Sequence, residues 1–178
     1  MSNGVASAAS AARAGRSGVR RIAPAIVGAV VLADQLTKAW VVANHSDSPL
    51  SIIGTTVELH VARNSGGAFS TFTNATIVLA LLAIGLTIWL VRTLRRTADR
   101  ATVVALSLVL GGALGNLCDR IFRSPGVLRG HVVDFVRVGS FPSFNVADSA
   151  ITIGAILLIV LSFGKPEPER AGDTESAQ

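Results

Sequence analysis

The chain reads as an all-α membrane protein: four transmembrane helices, a small extracytoplasmic β-hairpin or sheet between helices 1 and 2, and a short amphipathic segment between helices 3 and 4. Three observations predict this. Half of the 178 residues are hydrophobic while 15% are charged, and mean hydropathy is +0.56. Four apolar stretches approach the roughly 20 residues that a helix needs to cross a hydrocarbon core of about 30 Å. Finally, most Lys and Arg residues fall into clusters beside alternate ends of those stretches. The length suits a single domain and is too short for the doubled repeats of most secondary transporters.

The stretch 1–21 is rich in Ala, Ser, Gly and Arg without a periodic apolar face, which predicts a disordered cytoplasmic arm. A cleaved signal peptide is the competing reading. It is disfavoured because Asp34 and Lys38 interrupt the following apolar run and no small-residue cleavage site closes it. The membrane domain then covers 22–164, with spans at about 22–43, 75–91, 101–121 and 145–164. The last apolar run, Ala150 to Phe163, is short and reaches spanning length only if its helix begins near Asn145, which puts Asp148 in the first turn. Residues 165–178, with Pro166, Pro168 and alternating acids, read as a solvated cytoplasmic tail. Trp40 and Trp89 sit near span ends, where interfacial anchoring and plain lipid contact are equally good readings.

Orientation follows from the basic residues. Arg13, Arg16, Arg20 and Arg21 precede the first span, Arg92, Arg95, Arg96 and Arg100 separate the second from the third, and Lys165 and Arg170 follow the fourth. All three groups fall on one side of a four-span chain, which the positive-inside rule makes cytoplasmic. Six basic residues lie elsewhere, so the bias is moderate. The same clustering accounts for the net charge of +5 without a nucleic-acid partner.

Between Leu50 and Arg63, apolar and polar residues alternate around a Gly-Thr-Thr turn, the pattern of half-buried strands. Asn64-Ser-Gly-Gly-Ala-Phe-Ser follows; its glycines would let backbone approach a ligand, or simply make a turn. The third span ends in Gly111-Gly-Ala-Leu-Gly115-Asn116-Leu-Cys-Asp119-Arg120. Small residues there permit close helix packing, and Asn116 shares a helical face with both Asp119 and Arg120. Asp119 could pair with Arg120 or with another helix; alternatively the group could hold a substrate backbone. The stretch 122–137 is the candidate amphipathic segment, able to act as a lid.

The acids carry the chemistry. Asp34, Asp119, Asp134 and Asp148 lie in or beside apolar segments, and a carboxylate at membrane depth is a functional-site candidate by default. All the unusual polar residues except Asp34 and Lys38 map to the external ends of the spans. Two carboxylates meeting in apolar surroundings share a proton. One then takes a proton from water while the other polarises a scissile carbonyl. A structural pair or a proton relay would use the same residues, but a relay predicts ionisable groups spread through the bilayer. A serine protease with Lys38 as base lacks a serine block, and a scaffold leaves the clustering unexplained. Cys118 is the only cysteine, and His45, His60 and His131 lack metal-ligand spacing, so neither a disulfide nor a metal centre is expected.

Five blocks, in order, resemble the lipoprotein signal peptidase (signal peptidase II) family of bacterial membrane aspartic proteases: Asp34-Gln-Leu-Thr-Lys38, Asn64-Ser-Gly-Gly-Ala-Phe69, Gly115-Asn-Leu-Cys-Asp-Arg120, Val132-Val-Asp-Phe135 and Phe144-Asn-Val-Ala-Asp148. The resemblance covers roughly Ala33 to Gly154. It implies Asp134 and Asp148 as the catalytic pair, and Asn64, Asn116, Arg120 and Asn145 around the substrate. Asp34, Lys38, Asp119, Gly115, Phe144 and Ala147 would be structural or supporting residues. The implied substrate is a diacylglyceryl-modified prolipoprotein cut just before its lipidated cysteine, without cofactor, in the bacterial cytoplasmic membrane. The same resemblance implies a monomer surrounded by membrane lipids, inhibited by globomycin-like cyclic peptides. Gly67 departs from the family, which usually has a larger aliphatic residue there, and the arm before Arg21 has no family counterpart.

Overall fold

The computed structural model describes residues 2–54, 56–66 and 75–163, with side chains from residue 22 onward except at Ala75. In chain order the elements are α1 (Ser2–Asn44), β1 (Leu50–Ile53), β2 (Val57–Asn64), α2 (Ala75–Arg96), α3 (Arg100–Phe122), β3 (Val132–Val138) and α4 (Val146–Phe163). Four helices are long and apolar enough to cross a membrane: Ile22–Asn44, Thr76–Arg96, Arg100–Phe122 and Val146–Phe163. Their bounds agree with the sequence reading to within a residue or two, except that α2 extends to Arg96. The Gly67 to Phe69 part of the second motif and the tail from residue 165 lie outside the described residues.

The expected disordered arm is a difference. Backbone helix runs unbroken from Ser2 into the first span. Ala6, Ala8, Ala9, Ala11, Ala12 and Ala14 are the strongest helix formers available, and extending a helix already nucleated in a membrane span avoids the cost of starting one.

At the other end the connections build one three-stranded antiparallel sheet, ordered β1-β2-β3. The predicted hairpin is β1 and β2, with Leu50 opposite Leu59. The third strand comes from between α3 and α4, where an amphipathic interfacial segment was expected. Residues 132–138 pair with β2 instead, Val57 opposite Val138 and Asn64 opposite Val132. Val132, Val133, Val136 and Val138 are β-branched and suit a pleated surface, and the residues from Val132 to Phe135 are buried. Glu58 and Arg137, directly opposite, form an ion pair across the strands.

In the bundle α3 is the central rod: 61% of its span is buried, against 17%, 11% and 17% for the first, second and fourth. Its N-terminus is capped by Asp99, whose carboxylate accepts the Thr102 N–H at 2.8 Å. Glycines let α1 and α4 approach it, as the sequence anticipated. A Cβ at Gly111 would stand 2.8 Å from Val30 Cβ, and one at Gly112 would overlap the Ala147 carbonyl oxygen. Packing this tight replaces the hydrophobic drive that is missing between helices in lipid. It also brings the start of α4 against the end of α3, where the acids are.

Candidate active site

Asp148 owes its position to the way α4 begins. Asn145 Oδ1 accepts the Asp148 N–H at 2.9 Å, and Asp148 Oδ2 accepts the Asn145 N–H at 3.2 Å. That reciprocal exchange between the cap and the third helical residue is a capping box. Another amide of the turn, Ala147 N–H, is taken by Asp34 Oδ1 of α1 at 2.9 Å. A carboxylate there also answers the positive end of the helix dipole.

Asp134 arrives from the sheet. It is 3% exposed, and its Oδ2 accepts from Asn64 Nδ2 on the neighbouring strand at 2.9 Å. The Gly66 N–H donates to Asn64 Oδ1 at 2.9 Å, which turns the Asn64 amide so that its NH₂ faces the acid. Gly66 adopts φ +129° to do so, a conformation that a side chain would strain.

Asn145 joins the two acids. Its Nδ2 donates to Asp134 Oδ1 at 2.7 Å while its Oδ1 and backbone N–H hold Asp148 as above, and it is wholly buried. Asn116, on α3, completes the arrangement. Its Nδ2 donates to Asp148 Oδ1 at 2.8 Å, and its Oδ1 receives Lys38 Nζ at 3.0 Å. A lysine ammonium only donates, so Lys38 fixes which end of the Asn116 amide faces the acid.

Lys38 itself is fully buried, 2.8 Å from Asp34 Oδ2 and 2.9 Å from Asp119 Oδ2. The i,i+4 pairing of Asp34 with Lys38 is as expected, but their separation from the other polar residues is not: both belong to the same cluster. Asp119 pairs with Lys38 and, at 2.7 Å, with Arg123 Nε rather than with Arg120. Its Oδ2 also accepts the Val133 N–H at 3.1 Å, tying α3 to the sheet one residue before Asp134. Gln35 Nε2 reaches Asp34, Asp119 and the Gly115 carbonyl at 3.0–3.1 Å. Gln35 and Arg123 were not singled out from the sequence. A glutamine at membrane depth next to Asp34 was the available signal for the first; nothing local marked the second.

Arg120 is half-buried within electrostatic reach of Asp134, Asp119 and Asp148, and its Nη1 has no hydrogen-bond partner among the described residues. Phe144 contributes backbone, exchanging hydrogen bonds with Val136 at 2.9 and 3.0 Å, while its ring meets Phe141 edge-on. Gly115 is a site of close approach: a Cβ there would come within 2.7 Å of Asp34 Oδ2. Ala147 is wholly buried.

Burial pushes the Asp134 carboxyl up from 3.8 to about 6, against the hydrogen bonds from Asn64 and Asn145 and with a further upward push from Asp148. Asp148 instead sits in a helix first turn with an amide donor on each oxygen. A buried acid that holds its proton to about pH 6, with Asp148 near enough to push it up further, is an arrangement suited to acid–base work. Among the described residues no group of His, Cys, Asp and Glu has the makings of a metal site.

Fold and site together define a class, a four-span membrane protein with a cluster of buried acids, amides and a lysine at one end of its bundle. The comparisons with known proteins fit that class. Two solved bacterial membrane enzymes, determined in meso at 1.9 and 2.3 Å, match with TM-scores of 0.72 and 0.68, each at 31% identity; the matches cover 82% and 83% of this chain and 94% and 93% of theirs. A lipoprotein signal peptidase of Rhodococcus jostii is 51% identical over 84% of this chain and 77% of its own length. Those of Mycolicibacterium smegmatis and Mycobacterium avium are 48% and 54% identical over 80% and 64% of this chain, which spans 61% and 63% of their lengths. Residues 26–164 match the family described as signal peptidase (SPase) II. The chain belongs to the signal peptidase II family of membrane peptidases.

Proposed function

We propose that this chain is the endopeptidase that removes the signal peptide from diacylglyceryl-modified prolipoproteins, cutting just before the lipidated cysteine with Asp134, Asp148 and one water. The observation that carries the proposal is the Asn145 clamp, one buried side chain hydrogen-bonded to both acids. Asp148, as carboxylate, takes a proton from the water, whose oxygen attacks the scissile carbonyl carbon. Asp134 gives its proton to the carbonyl oxygen. In the second half Asp148 passes its proton to the leaving nitrogen as the C–N bond breaks, and Asp134 recovers one from the geminal diol. The products are a signal peptide ending in a carboxyl group and a lipidated cysteine with a free amine.

The Arg120 Nη1, unpartnered among the described residues, and the Asn64 amide are suited to orient the substrate backbone. Both acids come from one chain, so a monomer suffices, and all steps use protein side chains and water. Arg92, Arg95, Arg96 and Arg100 lie at the bundle end away from the acids, which supports an extracytoplasmic site with cytoplasmic termini. A lipid-anchored substrate would be delivered there from the outer leaflet. Globomycin-like cyclic peptides would compete for the same place.

The test uses purified protein in detergent and a diacylglyceryl-modified prolipoprotein, with cleavage read on a gel. Asp134→Asn and Asp148→Asn are each expected to abolish cleavage while still unfolding in a cooperative thermal transition. Wild-type turnover in either variant would overturn the acid-pair mechanism.

A further inference from the structure

At the bundle end opposite the acids, α1, α2 and α3 part around a groove of about 730 Å³. Its walls are Val27, Val91, Leu94, Val103 and Leu110, with Pro24 at the α1 side. The Thr97 hydroxyl, the uncharged polar side chain in the lining, already donates to the Thr93 carbonyl at 2.9 Å. A buried water needs two to four polar partners, and the aliphatic side chains of these walls offer none. The gap has a structural origin: α2 packs on α3 but makes little contact with α1, and its span is the least buried of the four.

Arg95 and Arg96 line the mouth, in the last turn of α2. Both are exposed, and neither pairs with a carboxylate among the described residues. The acid nearest in sequence, Asp99, is turned to the Thr102 amide and hydroxyl. A hydrocarbon-lined slot with two guanidinium groups at its rim complements an acyl chain beneath an anionic headgroup. Arginine's planar fork matches phosphate oxygens, and basic pockets between transmembrane helices on this side are a recurrent headgroup site. The volume falls within the roughly 300–1,000 Å³ of ordinary ligand pockets.

We propose that this groove binds an anionic phospholipid of the bilayer, an acyl chain filling the space between α1 and α2 and the phosphate held by Arg95 and Arg96. The lipid acts as a packing element where protein contact is missing. The site is separate from the acid pair, so its occupancy is testable without cleavage.

The full chain, placed in nanodiscs containing equal amounts of phosphatidylglycerol and phosphatidylcholine and then released for native mass spectrometry, is expected to retain the anionic lipid with a preference of roughly thirtyfold, given two basic contacts. The Arg95→Gln/Arg96→Gln double variant should lose that preference, whereas Arg92→Gln, outside the groove, should keep it. Val91→Trp, which fills the slot, should lower retention of both lipids. Equal retention of the two lipids by the wild type, or equal loss in the Arg92 variant and the double variant, would overturn the proposal. So would a lipid-free dimer, which would make the occupant a second copy of the chain.

Discussion

Replacing Asp134 by Asn should change stability in a pH-dependent way that follows from its burial. The carboxyl titrates at about 6 in the folded chain against an ordinary 3.8. At roughly 1.4 kcal/mol per pH unit that gap is worth about 3 kcal/mol. The sign runs against the fold. Below pH 3.8 the group is protonated whether folded or not, and it makes no difference. As pH rises from there to 6 the unfolded chain ionises first, so stability falls; above 6 the loss is complete and constant. Asparagine does not titrate, but it accepts through one oxygen only, and two donors converge on this side chain, from Asn64 and Asn145. One lost hydrogen bond costs about 1 kcal/mol at every pH. The Asn variant should therefore be less stable than wild type near pH 4 and more stable, by about 2 kcal/mol, at pH 7 and above. Thermal unfolding of both proteins in one detergent from pH 4 to 8 measures this, since the other acids titrate alike in both and cancel. Melting temperatures that run parallel across the range would refute the reasoning.

Three further outcomes are expected. On the proposed mechanism kcat/KM should fall about tenfold per pH unit above roughly pH 6, as Asp134 loses the proton it must donate; the apparent value belongs to the coupled pair, and a flat profile from pH 5 to 8 would remove Asp134 as the acid. Lys38→Met leaves Asp34 and Asp119 buried beside each other without their shared cation, which should destabilise by about 3–5 kcal/mol; an unchanged denaturation midpoint would show that the network is dispensable. Gly115→Ala should cost about 1–3 kcal/mol by overpacking against Asp34 and Ala147. Gly85→Ala, whose new methyl meets nothing within 4 Å, should be neutral or stabilising by up to about 1 kcal/mol, and equal effects at the two glycines would contradict the packing account.

The spans were legible because hydrocarbon imposes one requirement, a long apolar helix, that composition shows directly. The acids stood out for the same reason, being costly where they lie. Less visible was anything set by contacts distant in sequence. Val132 to Val138 has the β-branched content of a strand, but Asp134 and Arg137 break the alternation and the partner strand lies some seventy residues earlier. Asn145 and Asp148 did carry a local sign: the last apolar run reaches spanning length only with Asn145 at its start and Asp148 in its first turn, and α4 begins there. Asp34 and Lys38 looked isolated in depth, because only the folded bundle shows that Asp34 reaches the first turn of α4 and Lys38 reaches Asn116. That same convergence removes the scattered arrangement a proton relay would need. Residues 2–21, expected as an arm for want of an amphipathic stripe, are rich in alanine, which favours the backbone helix of that stretch.

The burial of α3 bears on how such a chain tolerates substitution. Leu82 and Ile156, on the outer helices, face outward and need only dissolve in lipid tails, so many residues would serve. Gly112, Gly115, Asn116 and Asp119 each answer to specific atoms on other elements, and few exchanges would satisfy them. Lineages could therefore diverge widely in their greasy perimeter while one rod keeps the identities that hold the two acids in place.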